Sequence, residues 1–429
     1  MRWWHSGASR RQMFQGAGAG LMSGLLSRLP LRAADTPGAS VYEKIGVRPI
    51  VNCRGTFTII SGSQSLPEVK KAMDEASRHY VHLDELMDAV GRRLAELTKA
   101  EWGIVTAGCA AALTHATAAA IAGADPEKMQ RLPNLDGMKN EVVMPRSSRN
   151  TYDHAIRMLG VKMVTPTTGE EFLASLRSST ALVALMGDDA RHPLPLEEMC
   201  AAAHKLGIPV NIDAAAERLA IPNNYLARGA DMVAYSGGKC LRGPQCAGVL
   251  LGRKDLLQAA WLNSAPHHAF GRSLKVGKEE IMGMLAAVEA WTKRDHPAEW
   301  KQWEGWLETI RAKVGSIPTM KTEVLQPRGP SNYAPRLRMS WDTAKLGITG
   351  TEAAEVLLDG NPRVVVPGDE SSLTVMPYMM MPGDERIAAT RIHQVLTTPY
   401  QRRPAGTGSG DVAGQWDVEM RFLRGEARH

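Results

Sequence analysis

Lys239 stands in a glycine-rich run, Ser236-Gly237-Gly238-Lys239-Cys240-Leu241-Arg242-Gly243-Pro244-Gln245, directly after an apolar stretch that ends at Tyr235. Asp213 stands 26 residues earlier, at the end of another apolar stretch, in Asn211-Ile212-Asp213-Ala214-Ala215-Ala216-Glu217. A third run of small residues, Thr106-Ala107-Gly108-Cys109-Ala110-Ala111, opens a helical pattern. An amine on a glycine turn can condense with a carbonyl group, and a carboxylate at a strand end can hold a ring nitrogen protonated. A small-residue turn into a helix offers free N–H groups to a phosphate. Together these are the parts of a pyridoxal 5'-phosphate site. Lys239 would form the internal aldimine and Asp213 would be its ring partner, the two catalytic residues. Ala107, Gly108, Cys109 and Ser236 would hold the phosphate. A nucleotide P-loop needs Ser or Thr after its lysine, and Cys240 follows Lys239.

Arginines are the candidates for a substrate carboxylate or phosphate, because guanidinium binds both bidentately. Arg54 and Arg242 lead, with Arg336 and Arg338 behind them. Cys109 and Cys240 fall in the site loops, where free cysteine ordinarily behaves as a small buried hydrophobe. No disulfide is read from five cysteines. No His or Cys spacing suggests a metal site, His267-His268 alone being too little.

The elements that must position these residues alternate in type. Strand patterns are expected at 102–106, 141–144, 161–164, 181–186, 209–212, 232–235 and 248–251. Helical spacing is expected at 67–78, 84–99, 108–120, 170–176 and 196–206. That rhythm means βαβ units, an α/β class with a mostly parallel sheet, and ligands on such sheets bind beyond the carboxyl ends of the strands. The organisation read from the pattern is a leader at 1–34, an N-terminal arm at 35–66 and a large cofactor-binding domain at 67–277. Bridging helices follow at 278–314, then a small α+β domain at 315–397. A glycine-rich linker and an isolated strand-like tail complete the chain at 398–429.

With 429 residues, 44% hydrophobic and 22% charged, the chain has material for two or three domains of ~100–200 residues. No apolar run reaches the ~18–20 residues of a membrane span, so no stable membrane anchor is expected. Of the formal charge of +6, five units belong to Arg2, Arg10, Arg11, Arg28 and Arg32, in a leader without carboxylates. The remaining chain is nearly neutral, which argues against a nucleic-acid partner. Ser9-Arg10-Arg11-Gln12-Met13-Phe14, a Gly/Ala-rich apolar stretch and Arg32-Ala33-Ala34 resemble a twin-arginine signal peptide. Periplasmic residence of a protein exported folded is the expectation.

The stretch from about 42 to 395 resembles the fold-type I pyridoxal enzymes, those of the aspartate aminotransferase-like fold. Within them it is similar to the group of selenocysteine synthase (L-seryl-tRNA(Sec) selenium transferase) and the D-glucosaminate-6-phosphate ammonia lyases. Val51-Asn52-Cys53-Arg54-Gly55-Thr56, the 106–111 turn, Asp213-Ala214-Ala215, the lysine loop and Gly271-Arg272-Ser273-Leu274-Lys275 carry the likeness. It implies a homodimer or higher homo-oligomer with Arg272 or Lys275 reaching a neighbouring subunit's phosphate. It also implies a side chain from Tyr152-Asp153-His154 against the cofactor ring, His154 ahead of Tyr152, which would otherwise contact substrate. The implied reaction is α-proton removal from an amino acid or amino sugar acid, bound as an external aldimine, with β-elimination or replacement. Aminotransferase and racemase are the enzymatic alternatives. A non-catalytic cofactor-binding protein and a sugar-phosphate or nucleotide-binding module are the others. The selenium-transferase pattern has an N-terminal tRNA-binding domain and an arginine where Ser63 stands here, so selenium transfer is not expected.

Overall fold

The computed structural model describes residues 40–187, 191–401, 419–422 and 425–428. The expected leader at 1–34 and the glycine-rich linker lie outside the described residues. Strands are β1 Ile50–Asn52, β2 Trp102–Thr106, β3 Glu141–Val143, β4 Lys162–Val164, β5 Thr180–Met186, β6 Val210–Asp213, β7 Met232–Ser236 and β8 Gly248–Gly252. They continue with β9 Lys321–Leu325, β10 Arg336–Ser340, β11 Arg363–Val365, β12 Ser372–Val375, β13 Glu419–Phe422 and β14 Gly425–Arg428. The longer helices are α1 Pro67–Ser77, α2 Leu83–Thr98, α3 Gly108–Ala122, α4 Leu196–His204, α5 Lys254–Leu262, α6 Lys278–Lys293, α7 His296–Val314, α8 Gly350–Asp359 and α9 Asp384–Thr397.

Seven strands form the large sheet in the order β2-β8-β7-β6-β5-β3-β4. Only β8 runs against its neighbours, pairing antiparallel with both β2 and β7. The central strands are apolar and buried nearly throughout, as in Thr180–Met186, because helices cover both faces of a sheet built from crossovers. Helix α3 is almost wholly buried and packs on β5, β6, β7 and β8, and its run of alanines permits that close approach. This is the mixed, mostly parallel α/β sheet that the alternating pattern implies.

The second core lies around the antiparallel sheet β12-β10-β9, with α8 and α9 packed on it. The bridging helices divide between the two cores. Ile281, Met284, Val288 and Trp291 of α6 join the large one, and Leu307, Ile310 and Val314 of α7 join the small one. Two strands were not visible in the pattern. β9 is an exposed edge, Lys-Thr-Glu-Val-Leu, without apolar alternation. β1 pairs in parallel with β11, Ile50 opposite Arg363, so the N-terminal arm crosses to the small domain and buries Val51 and Cys53 there. The expected single tail strand is a hairpin, with Glu419 opposite Arg428.

Candidate active site

Asp213 is the last residue of β6, Ser236 the last of β7 and Thr106 the last of β2, so the three loops share the carboxyl edge of the sheet. The ladder between β6 and β7 continues past the strands. Ala214 donates to the Ala234 carbonyl at 3.0 Å and Ser236 to the Ala215 carbonyl at 3.4 Å, which fixes the Asp213 loop against the Lys239 loop. The latter is a tight knot. Gly237 donates to Ala247 and Gly243 to Gly237, both at 2.8 Å, while Arg242 donates to the Lys239 carbonyl at 3.0 Å. A Cβ at Gly238 would lie 2.7 Å from Gln245 Cα, so only glycine lets the 243–245 segment fold back under Lys239. The loop's glycines serve packing, and the lysine is thereby held at the sheet edge.

The Asp213 carboxylate is buried, 7% exposed. Its Oδ1 accepts from Ala215 N at 3.1 Å and lies 3.7 Å from the Cys109 thiol, and none of the described hydrogen bonds engages Oδ2. Burial pushes the Asp213 carboxyl up from its ordinary range, with the Lys239 ammonium opposing the shift. Burial and the neighbouring Asp213 likewise push the Cys109 thiol well up. Cys240, whose thiol donates to the Glu217 carbonyl at 2.8 Å, is raised to about 12 by burial. Burial thus favours the thiol form of both cysteines over the reactive thiolate.

Helix α3 begins at Gly108 with no side-chain cap on its first N–H groups. Gly108 sits at φ +84°, a left-handed turn that glycine adopts without strain, and Gly248 of β8 passes beneath it. A Cβ at Gly248 would meet Gly108 C at 2.6 Å and Cys109 N at 2.7 Å, so the cradle forms only where that strand has no side chain. These features fit pyridoxal phosphate. Uncapped N–H groups of a 15-residue helix face one end of the site, and a buried carboxylate with a free oxygen faces the ring position. A lysine lies within electrostatic reach of that carboxylate.

Of the two aromatic candidates on the 151–154 turn, one stands beside the lysine. Lys239 Nζ lies 6.0 Å from the centre of the Tyr152 ring, whereas exposed His154 turns Nδ1 toward Arg157 at 3.4 Å. Tyr152 is thus the ring beside the Lys239 amine, and His154 lies against Arg157. The turn is held by Asn150, whose Oδ1 accepts from Tyr152 N at 2.7 Å, and by buried Asp153, paired with Arg149 at 2.5 Å and Arg157 at 2.8 Å. Burial pushes the Asp153 carboxyl up, but the two arginines outweigh it and hold the group below its ordinary range.

Among the arginines, Arg54 packs its guanidinium 4.4 Å above Phe57 and leaves Nε buried without a partner. Arg242 is half-buried and adopts a left-handed φ of 56°, its guanidinium donating to the Gln64 carbonyl at 3.3 Å and to Met381 Sδ at 3.3 Å. Arg272 and Lys275 are exposed, and the described ion pairs include neither. Arg336 joins the small sheet with Nε buried and unpartnered, and Arg338 faces Asp369 at 3.8 Å. No group of three His, Cys, Asp or Glu side chains among the described residues could hold a metal ion.

Sequence reasoning missed the junction of the two domains. Asn332, at a left-handed φ of 50°, donates its N–H to the Ala216 carbonyl at 2.9 Å and accepts from Tyr378 at 2.6 Å. Tyr378 also bonds Thr56 at 2.9 Å. This ties arm, small domain and Asp213 loop together. Arg218, Arg294 and Glu299 stand beside the same junction. Thr56, within the Val51–Thr56 run, and Arg218, five residues after Asp213, carried signals that could have drawn attention to it.

The model of the aminotransferase class-V family matches residues 77–271, which span α2 to the segment before Arg272. The chain is 29% identical over 373 residues to a 5'-C-glycyluridine monooxygenase-decarboxylase from a Streptomyces species, covering 83% of this chain and 92% of that one. It is 28% identical over 335 residues to the D-glucosaminate-6-phosphate ammonia lyase of Salmonella typhimurium, covering 75% and 87%. A solved structure of D-glucosaminate-6-phosphate ammonia-lyase superposes with a TM-score of 0.75 at 24% identity, over 84% of this chain and 98% of that one.

Proposed function

We propose that this pyridoxal-phosphate enzyme of the aminotransferase class-V fold is a lyase that eliminates the β-substituent and then ammonia from an amino acid or amino sugar acid. The observation that carries the reading is the set of Lys239, Asp213 and the uncapped start of α3 at one sheet edge. Similarity to an ammonia lyase across most of both chains supports elimination over other outcomes. When bound, the cofactor supplies an electron sink for the negative charge that develops at the substrate's Cα. Asp213 would hold the ring nitrogen protonated, and the α3 N–H groups with Ser236 would hold the phosphate. The Lys239 amine would take the Cα proton and hand it to the Cβ hydroxyl, which would leave with its bonding pair as water. Hydrolysis of the released enamine gives a 2-oxo acid and ammonia, so the net reaction needs no oxidant. Tyr152 covers the reacting face, and Arg54, with its unpartnered Nε, binds the α-carboxylate.

A second reading, oxidative decarboxylation, is favoured by the 29% identity to the monooxygenase-decarboxylase over 92% of that protein. The holoenzyme is incubated with L- and D-amino acids and amino sugar acids while ammonia, 2-oxo acid, carbon dioxide and oxygen are followed. Equimolar ammonia and 2-oxo acid without oxygen uptake is the expected result. Oxygen uptake with carbon dioxide release selects the second reading. Amino transfer to an added 2-oxo acid, or inversion at Cα alone, selects aminotransferase or racemase.

Homo-oligomerisation and export belong to the same proposal. Tyr42, Ile45, Phe57, Ile59 and Tyr80 are exposed apolar side chains, which supports burial against a second copy; Arg272 or Lys275 would reach that copy's phosphate. The twin-arginine pattern within residues 1–34 supports periplasmic residence.

A further inference from the structure

Lys239 stands on a turn between β7 and β8, outside any strand or helix, so contacts from elsewhere must fix where its amine lies. The glycine knot holds the turn through Gly237, Gly243 and Ala247. The carbonyls that follow the lysine are held by a side chain remote in sequence. Arg294 lies in the extended link between α6 and α7; its Nη1 donates to the Cys240 carbonyl at 3.0 Å and its Nη2 to the Leu241 carbonyl at 3.4 Å. No other described hydrogen bond reaches either carbonyl. A guanidinium is a rigid planar fork, so one side chain fixes two successive peptide units, those directly after Lys239.

The fork is itself fixed. Only 13% of the Arg294 side chain is exposed, and Glu299 Oε1 stands 4.0 Å from its Nη1. The guanidinium carbon lies 4.9 Å from the centre of the Trp291 ring, whose face attracts a cation. Trp291 is buried in the large core, and its Nε1 donates to the Leu219 carbonyl at 2.8 Å, on the loop that follows Asp213. The Cys240 thiol makes a second tie to that loop, donating to the Glu217 carbonyl at 2.8 Å. Trp291 and Arg294 thus join the loop that carries Lys239 to the loop that carries Asp213. Glu299 stands in the first turn of α7, whose later residues pack in the small core, so the brace reaches both domains.

We propose that Arg294 is a positioning residue for the cofactor reaction: seated on Trp291, it grips the two carbonyls after Lys239 and so sets the Lys239 amine against Asp213. The proposal rests on the reading of Lys239 as the cofactor lysine, and it adds a residue that acts through the lysine loop alone. A misplacement of ~1 Å at a reacting group costs on the order of 100-fold in rate, so loss of the fork is felt at the amine.

The test removes the cofactor from the full-length protein and adds pyridoxal phosphate back. In that attachment the Lys239 Nζ displaces the aldehyde oxygen, which leaves as water with the two amine protons. The rate is followed by absorption, and the site by borohydride trapping and peptide mass spectrometry, in wild type, Arg294→Ala, Arg294→Lys and Arg253→Ala. Arg253, paired with Asp231 at 3.1 Å before the amino end of β7, is the control. Attachment should be at least ~10-fold slower in Arg294→Ala, intermediate in Arg294→Lys, which keeps the charge without the fork, and unchanged in Arg253→Ala. The visible circular dichroism of the attached cofactor should change in the Arg294 variants only. A wild-type rate in Arg294→Ala, or equal slowing in Arg253→Ala as for a merely structural role, overturns the proposal. Where melting curves show that Arg294→Ala does not fold, a wild-type rate in Arg294→Lys overturns it instead. No attachment at Lys239 in the wild type is the failure of the cofactor reading and takes the proposal with it, whereas wild-type attachment that all variants match is the failure of this proposal alone.

Discussion

Gly248→Ala tests whether the cradle depends on backbone approach. Its new Cβ would stand 2.6 Å from Gly108 C, 2.7 Å from Cys109 N and 2.9 Å from Gly108 O, all backbone atoms, where ordinary contact begins at 3.4 Å. The turn must retreat by about 0.8 Å, or β8 must slip from its pairing of Gly248 with Thr106. Overpacking of this kind costs about 1–3 kcal/mol. A domain of this size loses roughly 2–4 °C of melting temperature per kcal/mol, so a decrease of several degrees is expected. The same retreat stretches a donor near 2.9 Å beyond hydrogen-bond range, and a charge-assisted bond contributes about 1.5–3 kcal/mol. Cofactor affinity should therefore fall ~10- to 100-fold, read by absorption titration of the apoprotein. Gly305→Ala in α7, where a Cβ meets nothing within 4 Å, is the control: it should gain about 0.5–1 kcal/mol and leave cofactor binding unchanged. Wild-type cofactor affinity in Gly248→Ala would refute the assignment of this turn to the phosphate.

Asp213→Asn should separate stability from function. Burial raises this carboxyl above its unfolded value of 3.8, so the folded apoprotein binds the proton more tightly than the unfolded chain does. That contribution is present at acid pH and is lost as pH rises from the unfolded value through the raised folded one. At neutral pH the Asn variant should melt no lower than the wild-type apoprotein while binding cofactor at least ~10-fold more weakly; a clear decrease in apoprotein melting temperature speaks against the burial argument. Asn332→Ala removes the bond from Tyr378 and puts an alanine at φ +50°, at a cost of about 1–3 kcal/mol in denaturant unfolding. An unchanged midpoint would mean that the domain junction is held elsewhere. Tyr152→Ala should lower turnover while the melting temperature stays within about 1 °C, because the side chain is 62% exposed and the turn is held by Asn150 and Asp153.

The lysine loop, Asp213 and the Gly108 turn were legible because each joins an apolar strand to small residues, a local signal of a sheet edge. The strands β2 and β5 to β8 were equally legible, since burial on both faces leaves nearly continuous apolar runs. Which of Tyr152 and His154 stands beside Lys239 was not, because two residues on one turn diverge by side-chain direction, which Asn150 and Asp153 fix. The junction of Asn332, Tyr378 and Thr56 joins positions up to 322 residues apart, and nothing local marks Asn332 or Tyr378 as its partners. β1 was hidden for the same reason: its partner β11 lies more than 300 residues away. Arg294 and Glu299 carry no local signal, and only the packing of α6 and α7 brings them beside Cys240.

Reduction of the cofactor-loaded protein with borohydride, followed by digestion and mass spectrometry, tests the central assignment most directly. A phosphopyridoxyl group on the peptide containing Lys239, absent from Lys239→Ala, is the expected result. A group on another lysine, or none after reconstitution with pyridoxal phosphate, would contradict it.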